Sequence, residues 1–289
     1  MTQRRSFDKN YLQQEFDRLN ATTKLPITLY LIGGGAMSFY GVKAATKDVD
    51  IILTNREDLS SLKVALETLG YKEINHLTIT RPYNDMQTSA ILENQDGFRW
   101  DLFLNKVCDA LTLSTNMKNR ATSLYQGNAL KIFRASKEDL FLFKGITSRE
   151  ADLDDTGILA RSGLDWDVIS RECRSQSEIS GICWEDGLYQ NLLGLKEKYG
   201  ISSPIEKSLR IAAQQKMMEK TLLDQIEKGN NTIKSITQEI KMTRGYVGAE
   251  LNRLVNKGLI AISKSERPHK FFPQKSLSKN GKIEEQKRE

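Results

Sequence analysis

Two acids at alternate positions, Asp48 and Asp50, stand at the head of an apolar run, Asp-Val-Asp-Ile-Ile-Leu. Side chains alternate along a β-strand, so both carboxylates share one face. Two carboxylates held together repel unless a positive charge lies between them. A hard divalent cation such as Mg²⁺ suits that place, because it takes oxygen ligands and also binds substrate phosphates. Upstream, Gly33, Gly34 and Gly35 follow an apolar strand expected over 28–32 and precede a short helical stretch. Backbone N–H groups at a helix start cradle phosphate, and glycine lets it approach closely. Together the residues suggest a phosphate-bearing substrate held on a divalent ion. The plainer alternative is a tight strand–helix turn beside an exposed acidic strand end.

The run Gly33-Gly34-Gly35-Ala36, then Gly41, Thr46, Asp48 and Asp50, resembles the nucleotidyltransferase superfamily, the fold of DNA polymerase β and the aminoglycoside nucleotidyltransferases. The resemblance implies an α/β (α+β) fold, a mixed sheet with flanking helices. It also implies a nucleoside triphosphate, ATP for example, at the glycines and two Mg²⁺ ions on the acids. Many members carry Gly-Ser, whose hydroxyl touches the triphosphate; here Ala36 follows Gly35, and the nearest serine is Ser38. A third carboxylate on a neighbouring strand completes the metal site in the superfamily. Asp101, in the strand Phe-Arg-Trp-Asp-Leu-Phe-Leu, fits by position. Burying an unpaired charge is costly, so an acid there needs a reason. Asp101 is also the candidate general base for the attacking hydroxyl. A local ion pair with Arg99 is the other explanation.

These residues need a framework. Phe7, Tyr11, Leu12, Phe16 and Leu19 recur at helical spacing and predict a helix over 6–20. Leu59, Leu62, Leu66 and Leu69 predict another over 56–69, stopped by Gly70. A short strand is expected over 71–74 and a loop or hairpin end over 75–86. Strands over 88–93 and 98–104 flank Asn94-Gln95-Asp96-Gly97, a hairpin turn signal. Residues 107–134 are hard to read, apart from a last strand near 130–133.

Ser136 opens a helix over 137–147, with Asp139 in a box-like cap. Lys144 borders its buried face, where it can neutralise a phosphate or snorkel to water. Residues 136–158 resemble the segment after the catalytic sheet in nucleotidyltransferases of the type IV toxin–antitoxin kind. That resemblance spans roughly residues 25–165 by motif and implies that Lys144 and Asp152 face the nucleotide. An Arg149–Asp152 pair along the helix is the alternative. Helices starting at Asp165-Trp166 and spanning 184–199 follow, and Ser202-Ser203-Pro204 reads as a linker.

From Ile205 the pattern is long helix, short helix after Ser235, helix capped by Thr243, then strands over 259–263 and 270–273. It resembles the winged helix-turn-helix of prokaryotic transcription regulators. In such folds the second helix enters the major groove. Lys241, Arg244, Tyr246 and Arg253 are the candidates there, and Arg267, His269 and Lys270 can meet phosphates from the wing. Dimerisation or protein docking is the other use. The expected divisions are 1–163 for the transferase, 164–203 for a helical extension, 204–273 for the winged helix and 274–289 for a disordered tail.

Net charge is +6, but residues 201–289 hold 18 Lys and Arg against 10 Asp and Glu, while the rest is slightly acidic. The imbalance suggests an anionic partner for the C-terminal part, with a solvated basic surface as the alternative. Three cysteines at 108, 173 and 183 have no metal spacing and read as reduced thiols of a cytoplasmic protein. No apolar run is long enough to span a bilayer, and residues 1–10 lack a signal core. The reading is a Mg²⁺-dependent transfer of a nucleoside monophosphate to a hydroxyl of tRNA, protein or a small molecule. In a toxin–antitoxin setting a cognate antitoxin is a further partner. The rivals are a DNA-binding regulator whose transferase fold senses nucleotide or is inert, and a binding protein acting through protein contacts alone.

Overall fold

The computed structural model describes residues 4–74, 88–146, 150–265 and 267–274. The chain divides into two compact units, Met1–Leu209 and Arg210–Glu289. Among the described residues no helix is long and apolar enough to cross a membrane.

The first unit is built on a seven-stranded sheet in the order β10-β11-β2-β4-β7-β6-β5. The strands are β2 (Ile27–Ile32), β4 (Asp48–Leu53), β5 (Lys72–Glu73), β6 (Ala90–Glu93), β7 (Arg99–Leu104), β10 (Thr122–Gln126) and β11 (Leu130–Arg134). β11 runs parallel to β2 and β4 parallel to β7, while the other neighbours are antiparallel. The sheet is therefore mixed. The register separates its two faces. Leu31, Ile51 and Leu102 align on one side, all fully buried. Ile32, Asp50, Asp101 and Ile91 align on the other, one strand after the next.

Helix α1 (Lys9–Thr22) is capped by Asp8, whose side chain accepts from the Tyr11 N–H at 2.9 Å. It buries Leu12, Phe16 and Leu19, and the Phe16 ring meets Trp100 of β7 edge-on. α3 (Arg56–Thr68), capped by Asn55, buries Leu62, Ala65 and Leu66. The predicted helix over 6–20 begins later, because Phe7–Asp8 (β1) pairs with Ala45–Thr46 (β3) as a two-stranded ribbon. α2 (Gly33–Phe39) takes in the three glycines, rather than starting after them. The 94–97 turn forms as expected, with the Asn94 side-chain oxygen accepting from the N–H groups of Asp96 and Phe98.

Residues 106–134 hold β8 (Lys106–Val107), β9 (Leu111–Thr112), α4 (Thr115–Arg120), β10 and β11. Two-residue strands carry no periodicity, which is why this stretch is opaque in the sequence. α5 (Lys137–Gly145), α6 (Glu150–Arg161), α7 (Trp166–Ser180) and α8 (Trp184–Tyr199) pack on one another beside the sheet. Their interior is partly charged: Arg120 donates to buried Asp139 and to buried Glu172, each at 2.6 Å. Asp139 thus does more than close the α5 cap with Ser136.

The second unit has its own apolar core, including Leu222, Ile236, Val247, Leu251, Leu254 and Phe271. α9 (Glu206–Glu227) crosses the division, because Leu209 belongs to the core of the first unit. α10 (Ile233–Ile240) begins two residues before Ser235; Thr232 is its cap and Ser235 completes a reciprocal capping box. α11 (Arg244–Asn256) is capped by Thr243. β12 (Ile260–Ser263) and β13 (Lys270–Pro273) form an antiparallel hairpin. The tail over 275–289, the loop over 75–86 and Arg149 lie outside the described residues.

Candidate active site

Asp50 and Asp101 are register partners on the parallel strands β4 and β7, and Asp48 lies two residues back on the same face. The strand alignment puts the three acids on one sheet face. Asp101 is 1% exposed, and its Oδ1 is buried with no hydrogen-bond partner among the described residues. Burial, then Asp48, then Asp50, push its carboxyl well above the usual carboxylate range; Arg4 and Arg99 oppose them. Among the described residues, the alternative of an Asp101–Arg99 ion pair is not what forms. Arg99 binds Glu93, its cross-strand partner on β6.

All three donors are carboxylates, the ligand type of Mg²⁺ rather than of a softer metal. The buried Asp101 Oδ1 and the mutual repulsion of the set fit such an ion. Among the described residues, however, no three acidic, histidine or cysteine side chains converge on a common point. Register brings the three backbones together on one face. Asp48 is turned toward Arg4, whose guanidinium lies 3.3 Å from its Oδ2 and donates to the Lys47 carbonyl at 3.0 Å.

The glycines pack against this acidic row. Gly33 has φ +62°, and a Cβ there would stand 1.8 Å from the Asp50 Oδ2. Only glycine accommodates both demands. A Cβ on Gly34 would meet the Thr46 Oγ1 at 2.6 Å and the Lys43 Nζ at 3.6 Å. Gly35 instead faces the core, against Leu31, Leu12 and Val49. Ser38 is buried, and its hydroxyl donates to the Gly34 carbonyl at 3.1 Å.

Lys144 reaches this region from α5. It pairs with Asp152 at 3.0 Å and Asp155 at 2.8 Å, both on α6. The snorkelling alternative is thereby corrected: carboxylates, not water, hold this ammonium. Burial disfavours its charge, but Asp152, Asp155 and more weakly Asp50 outweigh that and raise its pKa. Asp155 also accepts from Lys43, at 2.9 Å to each oxygen. Lys43, Asp155 and Arg4 are site neighbours that sequence reasoning missed. Asp155 had a signal, since it sits one helical turn past Asp152. Lys43 and Arg4 lie in stretches without periodicity.

In the second unit, Lys241 closes α10 in the left-handed region, and Arg244 and Tyr246 are exposed on the first turn of α11. Arg253 follows Arg244 by nine residues, which at about 100° per residue is half a turn away. It pairs with Glu250 at 2.7 Å. Arg267 and His269 are exposed ahead of β13, and Lys270 is half-buried at its start.

Residues 10–199 match a family model described as a nucleotidyltransferase of unknown function (DUF6036). No curated protein matches the chain.

Proposed function

The chain belongs to this nucleotidyltransferase family, and from that we propose that it transfers a nucleoside monophosphate from a nucleoside triphosphate to a hydroxyl group. The observation that carries the reading is the facing pair Asp50 and Asp101, with the buried, unsatisfied Asp101 Oδ1. Asp48, Asp50 and Asp101 would hold Mg²⁺, which supplies charge neutralisation at the attacking and leaving oxygens. The acceptor oxygen forms a bond to the α-phosphorus as the bond to the β-phosphate oxygen breaks. Pyrophosphate departs with that electron pair. The acceptor proton passes to a base, for which Asp101 is the candidate. Gly33 lets the Asp50 carboxylate lie directly against the backbone at the start of α2, where a phosphate would be bound, and Lys144, placed by Asp152, would add positive charge there.

For the second unit we propose a winged helix that binds nucleic acid. Three helices followed by a hairpin, with Lys241, Arg244 and Tyr246 exposed where α10 gives way to α11, support it. A tRNA acceptor, or DNA-bound autoregulation in a toxin–antitoxin pair, would use such a surface.

A regulator with an inert transferase fold is favoured by one observation. Ala36 offers no hydroxyl, and the Ser38 hydroxyl is turned onto the Gly34 carbonyl. The two readings separate when the protein is incubated with Mg²⁺, each α-labelled nucleotide, and host tRNA and protein extract. Label in RNA or protein that disappears with Asp48→Asn or Asp101→Asn is the expected result. Binding of DNA with no labelled acceptor under any nucleotide would favour the regulator.

A further inference from the structure

Lys43 lies in the loop between α2 and β3, within the span from the glycines to Asp50 but at none of the positions singled out there. Its side chain is 31% exposed, and its ammonium bonds both oxygens of Asp155, whose side chain is 10% exposed. Asp155 is shared, because the Lys144 ammonium lies 2.8 Å from its Oδ2. Lys144 is the deeper cation and has a second carboxylate in Asp152. This asymmetry decides which lysine can move. If Lys43 turns away, Asp155 keeps a cation and no buried carboxylate is stranded. If Lys144 turned away, Asp152 would lose its lysine partner. Lys43 is therefore the cation that can be released to a ligand.

The place to which it can turn is defined by the glycines. A Cβ at Gly33 would strike the Asp50 carboxylate, and one at Gly34 would stand 3.6 Å from the Lys43 ammonium. Consecutive glycines thus border the proposed metal-binding acid and this lysine. We infer that Lys43 binds the polyphosphate of the nucleoside triphosphate, exchanging Asp155 for a phosphate oxygen when the substrate enters. The inference rests on the transferase reading for the identity of its ligand. Asp155 is then a positioning residue, holding Lys43 at the glycines when substrate is absent. A lysine serves this task as a compact point charge with three rotatable donors.

The experiment is titration calorimetry of the full-length protein with inorganic tripolyphosphate and with ATP, in chelator and in Mg²⁺. Lys43→Gln is expected to weaken both ligands about tenfold or more, the usual weight of a hydrogen bond to a charged group. Lys43→Arg should retain most of the affinity. Asp155→Asn should lower the melting temperature yet keep or tighten tripolyphosphate binding, since both lysines remain. A purely structural quartet predicts otherwise: Lys43→Gln and Asp155→Asn would both lower the melting temperature and leave ligand affinity alone. That result overturns the inference, as does wild-type protein that binds neither ligand in either buffer. Failure of the transferase reading looks different, with Lys43-dependent tripolyphosphate binding but no labelled acceptor. Transfer by Lys43→Gln at the wild-type KM would remove Lys43 and leave the transferase reading standing.

Discussion

Asp101 shows how one buried group links stability to chemistry. Its carboxyl sits between Asp50 and Ile91 on neighbouring strands and is 1% exposed. Burial and the two nearby acids raise its pKa above the ordinary 3.8. The folded, metal-free protein therefore holds this proton more tightly than the unfolded chain does. The group favours folding below the ordinary carboxylate value, and that contribution is lost as pH rises through the raised value. Asp101→Asn cannot ionise. In chelator at pH 8 it should melt a few degrees above wild type, about 1 kcal/mol or more, with the gap closing toward pH 4. Thermal melts across pH check this, and equal melting at pH 8 would show that Asp101 carries no such charge penalty.

At the scale of elements, the helices beside the sheet depend on charge as well as apolar packing. Arg120 at the end of α4 joins Asp139 of α5 to Glu172 of α7, and both acids are about 2% exposed. Burial disfavours charge on Arg120, but the two carboxylates outweigh it and raise its pKa. Arg120→Met strands two buried carboxylates, so a loss of about 3–5 kcal/mol is expected in denaturant unfolding. A loss below 1 kcal/mol would mean that water replaces the guanidinium. Two helix caps were legible in the sequence, because Ser136 and Thr243 act on their own first turns. The partners of Arg120 were not, since 19 and 52 residues separate it from Asp139 and Glu172.

Across the whole molecule, positive charge is concentrated in residues 201–289. Under the nucleic-acid reading, part of the affinity comes from release of counterions, so it falls with salt. Arg244→Ala, at the exposed start of α11, should reduce the slope of log K against log salt by about 1 if Arg244 contacts phosphate. A fluorescence-anisotropy salt series with duplex DNA checks it. An unchanged slope and affinity would place the nucleic-acid surface elsewhere.

The sequence by itself determined the local features. Alternation put Asp48 and Asp50 on one face, the apolar spacing set α1 and α3, and Asn94 to Gly97 made the hairpin turn. Each of these acts within a few residues, so residue type and spacing are enough. Family membership also rests on sequence, across residues 10–199. Only the tertiary structure decided that Asp101 faces Asp50, that Arg99 turns to Glu93, that Arg4 covers Asp48 and that Lys43 shares Asp155 with Lys144. Those pairings follow from strand order and helix packing. Buried charges take the nearest opposite charge in space, and the chain distance to it, 112 residues for Lys43 and Asp155, leaves no trace in local pattern.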